Sequence, residues 1–197
     1  MMQKTISILE KQLEETLITL EQKNNFELAL NSYREIENEL LSLIESNTDD
    51  VKDISRVLAQ VYLRQAGMLR QLGHMEEANK VHLKELDYAK LSENSIAHAQ
   101  SLFSSAIHLL SNRQMEEGLS ILEEAKSAFE KGETDDHKQG VGWYWIILAD
   151  LGNKKLINVS SAEIVDFCNK ALEILVPLNN KPGVSRAYEA RAAAGKL

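Results

Sequence analysis

Few residues in this 197-residue chain have types and spacings that could do chemistry. His82 and Glu85 are three positions apart, so a helix would place them on one face, where an imidazole and a carboxylate can bind a metal ion. A carboxylate-bridged site needs that pair twice, and the sequence has no second copy, which favours a surface or packing pair. The run Asp135-Asp136-His137 is interpreted first as a helix cap and only then as a metal site. No metal ligand and no cofactor are predicted.

Nucleophilic catalysis has little support in the sequence. Cys168, the single cysteine, lies in an apolar helical stretch, where a free thiol is usually an inert small hydrophobe. No serine is expected at a strand-to-helix turn, and the segment Gly140-Val141-Gly142 lacks the third glycine and the preceding strand of a nucleotide-binding loop. We therefore predict no catalytic residues and no enzyme; a metal-dependent helical enzyme is the weakest alternative.

Composition limits the classes of partner that the protein is expected to bind and the compartment in which it is expected to lie. The chain has 22 basic and 30 acidic residues and a formal charge of −8, without the clustered Lys and Arg that nucleic-acid binding requires. The longest uncharged stretch, Gln139–Ala149, is too short to cross a bilayer, and the N-terminal segment has no apolar leader. One cysteine rules out an internal disulfide framework. We expect a soluble, cytoplasmic protein that binds neither nucleic acid nor membranes.

The elements that carry these residues are predicted to be helices in pairs. Only two prolines and nine glycines occur, and the first proline is Pro177. Apolar residues recur every three or four positions, which predicts repeats at 4–46, 50–91, 92–132 and 136–178, with a last helix at 182–195, in one domain spanning 1–197. Asp50 and the acidic run before His137 are expected to cap helices, Gly73 to end one, and Ser160 with Glu163 to form a capping box.

Internal repetition supports the pairing, and one segment resembles a known family. At an offset of 40 residues, the run 75–78 (MEEA) falls on 115–118 (MEEG), and Ala66 falls on Ala106. The run YLRQAGMLRQLGHMEEANKV, 62–81, resembles a tetratricopeptide repeat. It has an aromatic residue, two small packing residues and a turn glycine at the family's positions: Tyr62, Ala66, Ala78 and Gly73. The chain is similar to the long-helix members of that family.

The resemblance implies an all-α fold and a binding surface. The fold would be a right-handed superhelical array of antiparallel helix hairpins, about four of them plus a C-terminal helix. First helices would line a concave groove through their second, fifth, ninth and twelfth positions. Carried onto this sequence, the binding residues are Gln60, Leu63, Arg70, Gln100, Phe103, Ile107, Leu110 and Gln139. Equally, some of these could pack against second helices or a dimer mate.

The function expected from these features is that of a non-catalytic scaffold or adaptor. Members of the family that grip a carboxylate-terminated peptide have Lys and Asn at positions occupied here by Leu63 and Gly67, so that clamp is absent. A mixed apolar and polar groove suits an amphipathic helix or an extended peptide of a protein partner. The alternative is self-association, as a homodimer, through the face of the last helix. That face carries Val184, Ala187, Tyr188, Arg191 and Ala192.

Overall fold

The structure, a computed structural model, describes residues 2–46 and 50–195. Within those ranges the chain is all-α, which confirms the fold class expected from the spacing of apolar residues. In the part of the chain that the structure describes, nine α-helices and one 3-10 turn follow in order: α1 (Met2–Thr19), the turn Glu21–Lys23, α2 (Phe26–Ser46), α3 (Val51–Gln71), α4 (Met75–Ser92), α5 (Ser95–Ser111), α6 (Met115–Glu130), α7 (Asp135–Asn153), α8 (Ser161–Leu175) and α9 (Lys181–Ala194).

Helices that follow each other in the chain pack against each other. Contacts join α1 to α2, α2 to α3 and α3 to α4, and later α6 to α7, α7 to α8 and α8 to α9. This order confirms the predicted packing of neighbouring helices. Among the described residues, no helix combines the length and the apolar character needed to span a bilayer.

Two predicted helix ends are confirmed in their atomic detail. Gly73 follows α3 with a φ of 81°, and the His74 N–H donates to the Leu69 carbonyl at 2.8 Å, which closes the C-terminal turn. Before α8, the Ser160 hydroxyl accepts from the Glu163 N–H, and the Glu163 carboxylate accepts from the Ser160 N–H at 2.8 Å. This reciprocal pair is the capping box expected from the sequence.

Two predicted N-caps are wrong. Asp50 precedes α3, but its side chain makes no capping hydrogen bond. At α7 the cap is Thr134, whose hydroxyl accepts from the His137 N–H and lies 2.6 Å from His137 Nδ1. Asp135 and Asp136 instead occupy the first turn, where their charges favour the positive end of the helix dipole.

The chain divides into two compact units, Met1–Ser104 (unit 1) and Ser105–Leu197 (unit 2). In unit 1, α3 is buried along most of its length by α2 and α4. Its largest fully covered side chains are Ile54, Leu58, Tyr62 and Leu69. Such a helix can present only a narrow line of residues to a ligand.

A polar network ties α2, α3 and α4 together beside this core. The Glu37 carboxylate accepts hydrogen bonds from Tyr62 Oη (2.8 Å), Gln65 Nε2 (2.8 Å) and Lys84 Nζ (3.1 Å). Burial alone would raise the pKa of Glu37, but these three donors outweigh it and hold the pKa below its ordinary value.

In unit 2, close helix packing depends on glycine. Leu175 of α8 fills the space above two glycines. A Cβ added to Gly142 of α7 would lie 2.6 Å from Leu175 Cγ, and one added to Gly183 of α9 would lie 2.7 Å from Leu175 Cδ1. Neither distance is tolerated between real atoms, so α7, α8 and α9 can pack this closely only with glycine at both positions.

Candidate functional site

The structure places the eight predicted binding residues on three helices. Gln60, Leu63 and Arg70 lie on α3, Gln139 lies on α7, and the other four lie on α5. All are half-buried except Leu110, whose side chain is 8% exposed. Unit 1 contains the three α3 residues together with Gln100 and Phe103, so the candidate site is built from these five.

On α3 the predicted residues form one stripe, which we call the α3 stripe: Gln60, Leu63, Gly67 and Arg70. Their spacing of three and four places them along a single face, and each is half-buried while the residues between them are almost all buried. Gly67 lies in the middle, and a Cβ there would meet no atom within 4 Å. The stripe is therefore, with Arg64, the accessible side of the middle of α3, and it is open above its glycine.

The beginning of α5 packs against α3 near the start of this stripe. Ala59 of α3, Ala89 of α4 and Ala97 of α5 form one buried cluster, so the three helices meet through small side chains. Gln100 follows Ala97 by one turn, and Phe103 lies one turn further along. These two residues therefore lie on a helix that contacts α3 at Ala59, the residue before Gln60.

Two of the three remaining predicted residues, Leu110 and Gln139, have contacts within unit 2; the third, Ile107, is half-buried. Leu110 covers Gly118 of α6, where an added Cβ would lie 2.8 Å from the leucine Cγ. Gln139 Oε1 accepts from Asn180 Nδ2 at 2.7 Å, and Asn180 in turn caps α9 through the Gly183 N–H. Both side chains therefore make contacts inside unit 2, which is the alternative to ligand binding that the sequence allowed.

A buried polar cluster, which the sequence indicated only in part, lies close enough to Arg70 for Glu85 to interact with its charge. His82 and Glu85 of α4 are 4% and 1% exposed, and His82 Nδ1 lies 2.9 Å from Glu85 Oε2. The pair expected from their spacing is therefore a packing pair and does not lie at the surface. Ser104 of α5 donates to the same Glu85 oxygen at 3.0 Å. The sequence gave no sign of Ser104, because its contact joins two separate helices.

The geometry of this cluster does not fit nucleophilic catalysis. A serine nucleophile needs one imidazole nitrogen as its base while a carboxylate orients the other nitrogen. Here Ser104 Oγ and Glu85 Oε2 both face His82 Nδ1, at 3.4 and 2.9 Å, and the serine proton is directed to the carboxylate. Burial raises the pKa of Glu85, against the lowering effect of the hydrogen bond with His82. The cluster is a structural network.

Three polar atoms around the candidate site have no hydrogen-bond partner among the described residues. They are Arg70 Nη1, Gln100 Oε1 and Glu85 Oε1, and each is fully covered. Buried polar atoms without partners are uncommon and destabilising, by roughly 1–3 kcal/mol each. Two of the three belong to predicted binding residues, one a donor and the other an acceptor.

The other candidate residues of the sequence are accounted for by packing. Cys168 is fully buried with Ala149 and Ile164, and burial raises the pKa of its thiol, so it resembles a small hydrophobe. His137 is buried against Gly132, where an added Cβ would overlap the imidazole. Within residues 2–46 and 50–195, no three His, Cys, Asp or Glu side chains come together as a metal site.

The face of α9 that could mediate self-association is used in part inside unit 2 and is exposed at Tyr188 and Ala192. Ala187 is fully buried and Val184 packs with it against α7 and α8. Tyr188 is 49% exposed, with the Arg191 guanidinium 4.9 Å from its ring centre. Outward-facing residues of α9 also include Arg186, which is paired with Asp150 of α7.

Known proteins offer no further guide to the site. No family profile, no curated protein and no solved structure matches this chain. What the site does has to be inferred from the chain's own residues.

Proposed function

We propose that this protein is a non-catalytic scaffold, similar to tetratricopeptide repeat proteins, that binds a segment of a protein partner on the α3 stripe and the adjoining face of α5. In this proposal its helix pairs stack in the superhelical order of that family. The partner's segment lies along Gln60, Leu63, Gly67 and Arg70, and Gln100 and Phe103 form the second wall.

The observation that carries this proposal is the open space at Gly67. Glycine in a helix interior is less favourable than alanine by about 1 kcal/mol, and here no neighbour requires the missing Cβ. In unit 2, by contrast, Gly142 is needed for helix packing. A glycine that nothing in the fold requires is explained if a ligand backbone approaches α3 at that point.

The chemistry of the neighbours agrees with a peptide ligand. Leu63 is a half-buried apolar anchor, whose complete burial by a partner would add to binding. Arg70 and Gln100 are half-buried polar side chains at two sides of the proposed surface, and side chains of these types form hydrogen bonds with the donors and acceptors that a peptide carries in every residue.

The test uses the variant Gly67→Leu, which fills the open space while favouring the helix. Random peptides displayed on phage are selected on the wild-type protein, and binding of the enriched peptides is measured by calorimetry. We expect Gly67→Leu to raise the free energy of unfolding by about 0.5–1 kcal/mol and to weaken binding by about tenfold or more. Loss of binding with a more stable fold cannot be attributed to unfolding.

The matched control places the same side chain elsewhere. Asn38→Leu adds a leucine at an exposed position of α2, away from the α3 stripe, and should leave binding unchanged. The proposal is wrong if selection enriches no peptide, or if the enriched peptides bind Gly67→Leu as tightly as the wild type.

A further inference from the structure

Arg70 differs from the other arginines of unit 1. Arg34, Arg56 and Arg64 each form an ion pair, with Glu77, Glu10 and Glu21 respectively. No carboxylate of the described chain lies within ion-pair distance of Arg70, and its covered Nη1 has no acceptor. A half-buried guanidinium in this state is destabilising, because part of its hydration is lost without replacement.

The carboxylate that interacts with the Arg70 charge, Glu85, already has hydrogen-bond partners of its own. Glu85 interacts with the Arg70 charge through space, but its Oε2 is engaged by His82 at 2.9 Å and by Ser104 at 3.0 Å. Burial raises the pKa of Glu85, against the lowering effects of His82, Ser104 and Arg70. Burial also lowers the pKa of the Arg70 guanidinium, against the raising effect of the Glu85 charge.

Open space for a ligand lies one turn before Arg70. Gly67 precedes Arg70 on the same stripe, and a Cβ added to it would meet no atom within 4 Å. A ligand chain can pass there while one of its side chains extends toward the accessible part of the half-buried Arg70 side chain, whose Nη1 is covered. We propose that Arg70 determines specificity by binding the carboxylate of an aspartate or glutamate side chain of the partner, an inference that rests on the proposed function.

A single carboxylate fits this position better than other anions. A guanidinium offers two parallel N–H donors to a carboxylate, and the pair is stronger than a neutral hydrogen bond. A phosphate group carries almost twice the charge, which one Arg70 beside Glu85 cannot balance. A chain-terminal carboxylate sits directly on the backbone, whereas an acidic side chain has the reach that a half-buried guanidinium requires.

The experiment is a selection of displayed random peptides in two formats, on wild type and on Arg70→Gln. One format leaves no free C-terminus; the other exposes it. We expect wild type to enrich Asp or Glu at one fixed position in both formats and Arg70→Gln to lose that preference. For a selected peptide, changing the acid to its amide should weaken binding to wild type about tenfold and to Arg70→Gln hardly at all.

Controls separate a binding role from a structural one. Arg113→Gln removes the same charge from an exposed arginine and should keep the acidic preference. Arg70→Gln should be at least as stable as wild type in urea, because the burial of the guanidinium outweighs its attraction to Glu85 in the free protein. Arg70→Lys, which keeps the charge but loses the paired donors, should bind with intermediate affinity.

The outcomes distinguish this inference from the proposed function. Peptides that are sensitive to Gly67→Leu but carry no enriched acid, or that bind Arg70→Gln equally well, overturn the role of Arg70 and leave the α3 stripe as a binding surface. Enrichment only with free C-termini, without a preferred acidic residue, overturns the side-chain assignment. Selection that enriches nothing overturns both proposals.

Discussion

Two carboxylates of unit 1 should respond to pH in opposite directions, and replacing each by glutamine tests the account of its surroundings. Glu37 accepts three hydrogen bonds, which hold its pKa below the ordinary value of 4.5. Glu85 is almost fully covered, and burial raises its pKa above 4.5. Both substitutions keep the shape of the side chain, so the difference between them reports charge and hydrogen bonding.

Glu37→Gln should be destabilising at neutral pH. Glutamine retains one acceptor oxygen but turns an NH₂ group toward Tyr62 or Gln65, both of which are donors. Loss of a hydrogen bond to a charged acceptor costs about 1.5–3 kcal/mol. Because the pKa of Glu37 is depressed in the folded state, its contribution is present above pH 4.5 and is lost as the pH falls through the folded pKa.

Glu85→Gln should have the opposite profile. A raised pKa in the folded state means that the contribution of Glu85 to stability is greatest below pH 4.5 and is lost as the pH rises through the folded pKa. Glutamine removes the buried charge and keeps an acceptor for the Ser104 hydroxyl. We therefore expect Glu85→Gln to be at least as stable as wild type at pH 7, with its advantage shrinking toward pH 4.

Urea unfolding from pH 4 to 8 measures both effects. Both tryptophans lie in unit 2, so circular dichroism is the appropriate signal for unit 1. Glu39→Gln, at an exposed position of α2, is the control and should change stability by less than about 0.5 kcal/mol. The reasoning is refuted if Glu85→Gln costs as much as Glu37→Gln at pH 7, or if the two differences from wild type change with pH in the same direction.

Three further predictions concern unit 2. Gly142→Ala should lower the free energy of unfolding by about 1–3 kcal/mol, measured by tryptophan fluorescence in urea, because the new methyl group would overlap Leu175. Cys168 should react with a thiol reagent on the order of a hundredfold more slowly in the native protein than in urea, since it is fully buried and its thiol pKa is raised. Ser160→Ala should cost about 1 kcal/mol in thermal melts, through loss of the capping box with Glu163.

Two of these predictions have a matched control variant, and the labelling of Cys168 compares the native with the unfolded protein. Gly67→Ala, where the new methyl group meets open space, should stabilise the protein, and equal losses at Gly67 and Gly142 would contradict the packing described. Ser161→Ala removes an exposed serine beside the cap and should be neutral. Rapid labelling of native Cys168 would show that its apolar surroundings open far more readily than their burial implies.

Local signals in the sequence were enough to predict the helices. Gly73 and the pair Ser160 and Glu163 act through backbone groups a few residues away, so their roles follow from spacing alone. The cap at α7 was misplaced because Thr134 and Asp135 are both good caps, and the sequence does not say which one adopts the extended backbone of an N-cap.

The candidate site could be predicted only as a pattern of positions. Spacing placed Leu63, Gly67 and Arg70 on one face, but it could not show that the space above Gly67 is open. Nor could it show that Ser104 reaches Glu85 across two helices or that Arg70 is left without an acceptor. Those facts depend on how helices pack, which a single sequence does not specify residue by residue.

The most direct test of the binding surface is a crystal structure of the protein with a selected peptide. We predict a peptide lying along Leu63, Gly67 and Arg70, with one of its carboxylates within hydrogen-bond distance of the guanidinium. A peptide bound elsewhere, for example in the cavity of about 440 Å³ beside Phe129 and Ile174 in unit 2, would contradict it.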